Sequence, residues 1–175
     1  DIGGFAGELP SPELYLRATQ LACFAPIMQW HSEPDGGQFK LLQPGMEGNN
    51  ERSPWNIERA FGLTGYTEQV RRWHLLRMKL LPYIRAEAAK CVENCRPLMR
   101  PMAYAFPEDP LCTNIDDEYM FGDALLVAPV LREGVSEREV YLPEGEWRDF
   151  CTGERLHGGR VCTRGCTETI PVLVR

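Results

Sequence analysis

The chain has 175 residues, of which 43% are apolar, and a formal net charge of −6. That apolar fraction is enough for a real core and argues against disorder. The Lys and Arg residues are scattered, so nucleic acid is excluded as a partner; no apolar run reaches the length of a membrane span, which excludes a membrane partner.

The first stretch, Asp1-Ile2-Gly3-Gly4-Phe5, places an acid beside two glycines and an aromatic. Adjacent glycines let a ligand approach the backbone closely, although a plain tight turn is the simpler reading of the spacing. The start lacks an initiator Met and reads as that of a fragment. Ser11-Pro12-Glu13 then supplies an N-cap, a first-turn proline and an acid on the positive end of the helix dipole. Leu14, Ala18, Leu21 and Ala22 follow at helical spacing and predict a buried stripe. Pro26 stops this helix and opens Ile27-Met28-Gln29-Trp30-His31. In an extended segment, Ile27, Gln29 and His31 share one face. This order of strand end, loop, helix and strand end fits a parallel α/β barrel, whose chemistry sits where its strands end. A lone histidine is often structural, but the strand-end position makes His31 a candidate site residue.

From Ser32 to Pro54 the pattern is one of turns, with Asp35-Gly36-Gly37, Pro44-Gly45 and Gly48-Asn49-Asn50. A loop of this length inside a domain is usually functional or disordered. Phe39, Met46 and Trp55 are candidates either to touch substrate or to pin the loop. Thr67-Glu68 opens a long helix that runs to about Asn94. Its apolar stripe is Val70, Trp73, Leu76, Leu80, Ile84 and Ala88, and Arg71, Arg72, Arg77 and Lys79 read as solvated. Pro82 predicts a bend near Met78. His74 is most simply a surface or packing residue.

After Arg96-Pro97 the period changes. Leu98–Phe106, Tyr119–Leu131, Val135–Leu142 and Val161–Thr163 read as strands separated by Gly/Pro turns, the pattern of an antiparallel sandwich. The terminal Thr169–Arg175 reads as a strand cut off from its partners. The expected architecture is therefore α/β plus all-β. Residues 1–96 form the last part of a (β/α)8 barrel, and residues 97–175 the truncated start of a β-sandwich. Seven cysteines are an odd number for a disulfide framework. They read as the reduced thiols of a cytoplasmic protein. The pairs Cys91/Cys95 and Cys162/Cys166 lack flanking histidines, so packing thiols are preferred over a metal site.

Taken together, these motifs resemble the C-terminal part of glycoside hydrolase family 31, the α-glucosidase and α-xylosidase family. DIGGF at 1–5 resembles its seventh barrel strand. LYLRATQLACFAPIMQWH at 14–31 resembles the next helix and the eighth strand. LLPYIRAEA at 80–88 resembles the last barrel helix. RPLMRPM, YMFGDALLVAPVL, VYLPEGEWRDF and IPVLVR resemble the first strands of the sandwich that follows. The resemblance implies hydrolysis of terminal α-linked sugars with retention, by two aspartates and a covalent intermediate. Those aspartates belong to earlier barrel segments, and this chain carries neither motif, so no catalytic residue is assigned here and this chain alone is expected to be inactive. Asp1, Phe5 and His31 are implied to bind the sugar, His31 with a donor and an acceptor on one imidazole.

Many members carry an arginine where this chain has Gln29, which removes a fixed positive charge and bears on which sugar is bound. A carbohydrate is the expected partner, with no cofactor and no metal; oligomeric state is left open. The alternatives are a non-catalytic carbohydrate-binding or scaffold module, and a transglycosylase or α-glucan lyase of the same family. The part-barrel, with unpaired strand edges, is expected to express poorly or aggregate by itself.

Overall fold

The computed structural model of the protein describes residues 1–32 and 52–175. Asp35, Phe39 and Met46 therefore lie outside the described residues. The chain divides into two units, 1–79 and 80–175.

In the first unit, helix α1 spans Pro12–Cys23. Ser11 caps it by accepting from the Leu14 N–H at 3.2 Å, which satisfies one of the orphan donors of the first turn. The buried face is not the predicted one. Tyr15, Leu16, Thr19, Gln20 and Cys23 are buried, whereas Leu14 is 56% exposed. The helix is turned so that Tyr15 packs on Gly3 and faces the Tyr66 ring at 6.4 Å. Thr19 is accommodated because its hydroxyl donates to the Tyr15 carbonyl at 2.9 Å. Polar side chains satisfied within their own helix carry no sign of burial in the sequence.

Neither Asp1–Phe5 nor Ile27–His31 forms a regular strand. The two segments are nevertheless side by side, since the Ile2 N–H donates to the Gln29 carbonyl at 3.1 Å. A parallel barrel strand gains its ladder from neighbours on both flanks, and here one such bond joins the pair. Helix α2 spans Pro54–Ala60, capped by Ser53. Helix α3 spans Tyr66–Asn94 and runs through Pro82, so the division between the units falls inside it. Val70, Trp73, Leu80 and Ile84 of the predicted stripe are buried. Arg77 is not a solvated residue. Its guanidinium donates to the carbonyls of Cys23 at 2.9 Å, Ala25 at 2.6 Å and Pro26 at 3.0 Å. The Cys23 carbonyl is one that the end of α1 leaves unpaired, where a cation is favoured, and the other two belong to the turn that follows.

The second unit is antiparallel. In chain order its strands are β1 (Met99–Pro101), β2 (Tyr119–Phe121), β3 (Leu125–Val127), β4 (Glu137–Leu142), β5 (Glu146–Asp149), β6 (Arg155–His157), β7 (Arg160–Gly165) and β8 (Val172–Val174). Six of them form one sheet in the order β1-β2-β3-β8-β5-β6, and β4 pairs with β7 in a second. Met120, Leu126, Trp147 and Leu173 from the larger sheet join Val140 and Leu142 from the smaller in one buried cluster. That is the core of two facing layers.

Three strand expectations change. Leu98–Phe106 is β1 followed by a short helix α4, Met102–Ala105. Tyr119–Leu131 is two strands with a turn at Gly122 (φ +68°). β8 is not cut off: Val172 and Val174 pair with Val127 and Leu125 on one side, and Arg148 and Asp149 pair with Val174 and Leu173 on the other. Its partners stand far away in sequence, so the segment looked isolated. The charge-rich strand at 155–157 was not anticipated, and the one at 146–149 was contained only in the resemblance of VYLPEGEWRDF.

The seven cysteines are thiols. Among the described residues, no group of His, Cys, Asp and Glu gathers to hold a metal, and no helix is long and apolar enough to cross a membrane.

Candidate functional site

The first unit brings together residues that stand about thirty positions apart. Phe5 and His31 lie ring to ring, with centroids 5.1 Å apart and planes tilted by 37°. The Gln29 amide donates to Asp1 Oδ1 at 2.9 Å. Asp1, Phe5, Gln29 and His31 are all exposed. The surface they form thus presents a carboxylate, an amide, an imidazole and an aromatic edge. Such groups recognise a polyhydroxylated ring, through hydrogen bonds at its edges and apolar contact on its face.

The local sequence explains how the segment turns. Gly3 and Gly4 have φ of +77° and +88°, which other residues avoid. A Cβ on Gly3 would lie 2.7 Å from the Tyr15 ring, and one on Gly4 would lie 2.8 Å from Arg52 Nη1. The glycines therefore make room for Tyr15 and Arg52. Arg52 is buried at 5% exposure. It donates to the Gly3 carbonyl, and to those of Gly7 and Glu8, each at 3.0 Å. Nothing in the sequence pointed to Arg52, because main-chain carbonyls are acceptors of no particular residue type. Its position just ahead of the Ser53-Pro54 cap reads as ordinary loop.

On the other side of the Ile27–His31 segment, Trp30 meets Trp55 edge-on at 5.6 Å and His74 at 5.2 Å. Burial holds His74 below the ordinary imidazole range, so it is the neutral ring that packs there. It belongs to the aromatic packing of the unit, as the simplest reading of the helix had it. Trp55 pins α2 to this cluster.

An end-of-barrel segment followed by an antiparallel domain is what family comparisons recognise. The model of the glycosyl hydrolases family 31 TIM-barrel domain matches residues 1–87, and that of the glycosyl hydrolase family 31 C-terminal domain matches 95–175. The chain belongs to glycoside hydrolase family 31. It is 41% identical over its full length to the isomaltosyltransferase of Sporosarcina globispora, of which it covers 15%. It is 39% identical, again over its full length, to the 1,3-alpha-isomaltosidase of Kribbella flavida, of which it covers 23%. Among solved structures, the cycloalternan-degrading enzyme of Trueperella pyogenes in complex with isomaltose matches all of this chain. The TM-score is 0.89 at 38% identity, and 24% of that protein is covered. The chain thus spans less than a quarter of these relatives.

Proposed function

We propose that the protein containing this chain is a retaining α-glycosidase acting on terminal α-linked sugars, and that this chain supplies one wall of its sugar pocket. The reaction runs through two carboxylates about 5–5.5 Å apart, one attacking the anomeric carbon and one protonating the leaving oxygen. Both belong to barrel segments outside this chain. Here Asp1 and His31 hydrogen-bond the ring hydroxyls and Phe5 lines the pocket. The observation that carries the reading is the junction of Asp1–Gln29 and Phe5–His31 on one exposed surface. A cytoplasmic location, from the cysteine thiols, is part of the same reading.

Transfer of the sugar, rather than its hydrolysis, is the second reading. It is favoured by the 41% identity to an isomaltosyltransferase. The neutral Gln29 at the pocket wall fits either outcome. The test is a product analysis on the full-length protein with isomaltose and with 4-nitrophenyl α-D-glucopyranoside. Free sugar released first as the α-anomer supports retaining hydrolysis, and longer oligosaccharides support transfer. An unsaturated product would mean lyase chemistry. Binding of sugar with no product would mean a non-catalytic module.

A further inference from the structure

The surface described above rests on a loop with little regular structure of its own. Residues 1–8 contain a turn, closed by the Gly4 N–H on the Asp1 carbonyl at 2.9 Å, and three glycines at positive φ. Such a segment has many alternative conformations to lose. What singles out one of them is a side chain more than forty positions away. Arg52 spreads its two terminal nitrogens over the carbonyls of Gly3, Gly7 and Glu8, gripping the loop on both sides of Phe5.

We propose that Arg52 is a positioning residue of the sugar pocket, setting the pose of the loop that presents Asp1 and Phe5. The proposal rests on the functional reading above. Three observations support it. The guanidinium is buried, and both of its terminal nitrogens donate to main-chain carbonyls of this loop. Gly4 is fitted to it, for the atoms that a Cβ at this position would meet are those of Arg52. Phe5, between the gripped carbonyls, touches His31, so a shift of the loop moves the aromatic wall away from the imidazole. In this reading Arg52 acts on the sugar through the loop.

A planar fork is what three divergent carbonyls require; the compact ammonium of a lysine keeps the charge but cannot span them. The test is a double-mutant cycle in the full-length protein with 4-nitrophenyl α-D-glucopyranoside and isomaltose as substrates. Arg52→Lys is expected to raise KM about tenfold with kcat nearly unchanged, the mark of lost substrate binding rather than lost chemistry. In the Phe5→Ala background the same substitution is expected to raise KM by about threefold, since the part carried by Phe5 is gone and only the part carried by Asp1 remains. Circular dichroism and thermal melting establish that each variant is folded. Should Arg52→Lys fail to fold, Arg52→Gln, which keeps an amide donor, carries the same cycle. An unchanged KM in the single variant, or an equal rise in both backgrounds, overturns the proposal and leaves the functional reading standing. A wild-type protein silent on both substrates overturns the functional reading, and the proposal with it.

Discussion

Glu118 shows how one buried side chain sets a pH dependence. It accepts from the Tyr141 N–H at 2.8 Å and stands 3.7 Å from Arg138. Burial pushes its carboxyl up to about 7, against the pull of the Tyr141 hydrogen bond and the Arg138 charge. Between its ordinary value and about 7, the folded protein holds a proton that the unfolded chain has released. Stability therefore falls as pH rises through that window. Glu118→Gln keeps an acceptor for Tyr141 and removes the titration. Wild type is expected to lose about 2 kcal/mol from this group between pH 5 and pH 8, and the variant to lose much less; denaturant titration at the two pH values measures both. At the proposed pocket wall, Gln29→Leu removes the donor on Asp1 Oδ1. One hydrogen bond of about 1 kcal/mol predicts a rise in KM of about fivefold, read from initial rates on the full-length protein.

Side chains that serve the backbone were the least legible. The Ser11-Pro12 cap was readable because its partner is three residues away. Arg52 and Arg77 were not, because their acceptors are carbonyls distant in sequence. The family resemblance named Asp1, Phe5 and His31 together as sugar-binding residues, and the structure sets the Phe5 and His31 rings 5.1 Å apart. The Gln29–Asp1 hydrogen bond had no such signal.

At the scale of elements, the C-terminal half of α3 is built to hold the β2–β3 turn. Tyr83 donates its hydroxyl to the Phe121 carbonyl at 2.6 Å and accepts from the Ala124 N–H at 3.2 Å. Glu87 accepts from the Asp123 N–H at 2.8 Å. Arg100, at 2.6 Å, holds the Asp123 carboxyl below the usual carboxylate range, with help from Lys90. A Cβ on Gly122 would lie 2.4 Å from the Tyr83 hydroxyl, at a φ that favours glycine. Gly122→Ala is expected to destabilise the second unit by about 2 kcal/mol or more, and Tyr83→Phe by about 1–3 kcal/mol through the unsatisfied groups it leaves. Hydrogen exchange at Phe121–Leu126 checks both. Tyr119–Leu131 read as one strand. Gly122-Asp123 begins the turn that joins the antiparallel pair β2 and β3, and the apolar runs on either side hid that signal.

At the scale of the whole molecule, the long helix and the change of period after Pro97 were plain in the sequence because they are properties of local pattern. Pairing order was not, because it joins residues far apart. β8 sits between β3 and β5, and Leu173 is fully buried in the shared cluster. Leu173→Ala is expected to cost about 2–5 kcal/mol and to loosen both flanks of the sheet together, visible as one cooperative loss of exchange protection in β3 and β5. In the first unit, Ile27 is 72% and Met78 63% exposed. Together with the main chain of 1–5 and 27–31, which no sheet takes up as strand, this predicts self-association. The chain produced by itself is expected to scatter light increasingly with concentration; a monodisperse, cooperatively melting preparation would contradict this.

The position of β8 also imposes a sequence of events during synthesis. The ribosome makes β1, β2 and β3 first and β5 and β6 later, and the strand that joins the two groups is the last of the eight to leave the exit tunnel. Until it emerges, the nascent chain carries two open edges that face no partner of their own. A pause in translation that falls after β6 has left the tunnel and before β8 has done so therefore holds the second unit in its most adhesive form, and the need for a chaperone is concentrated in that interval.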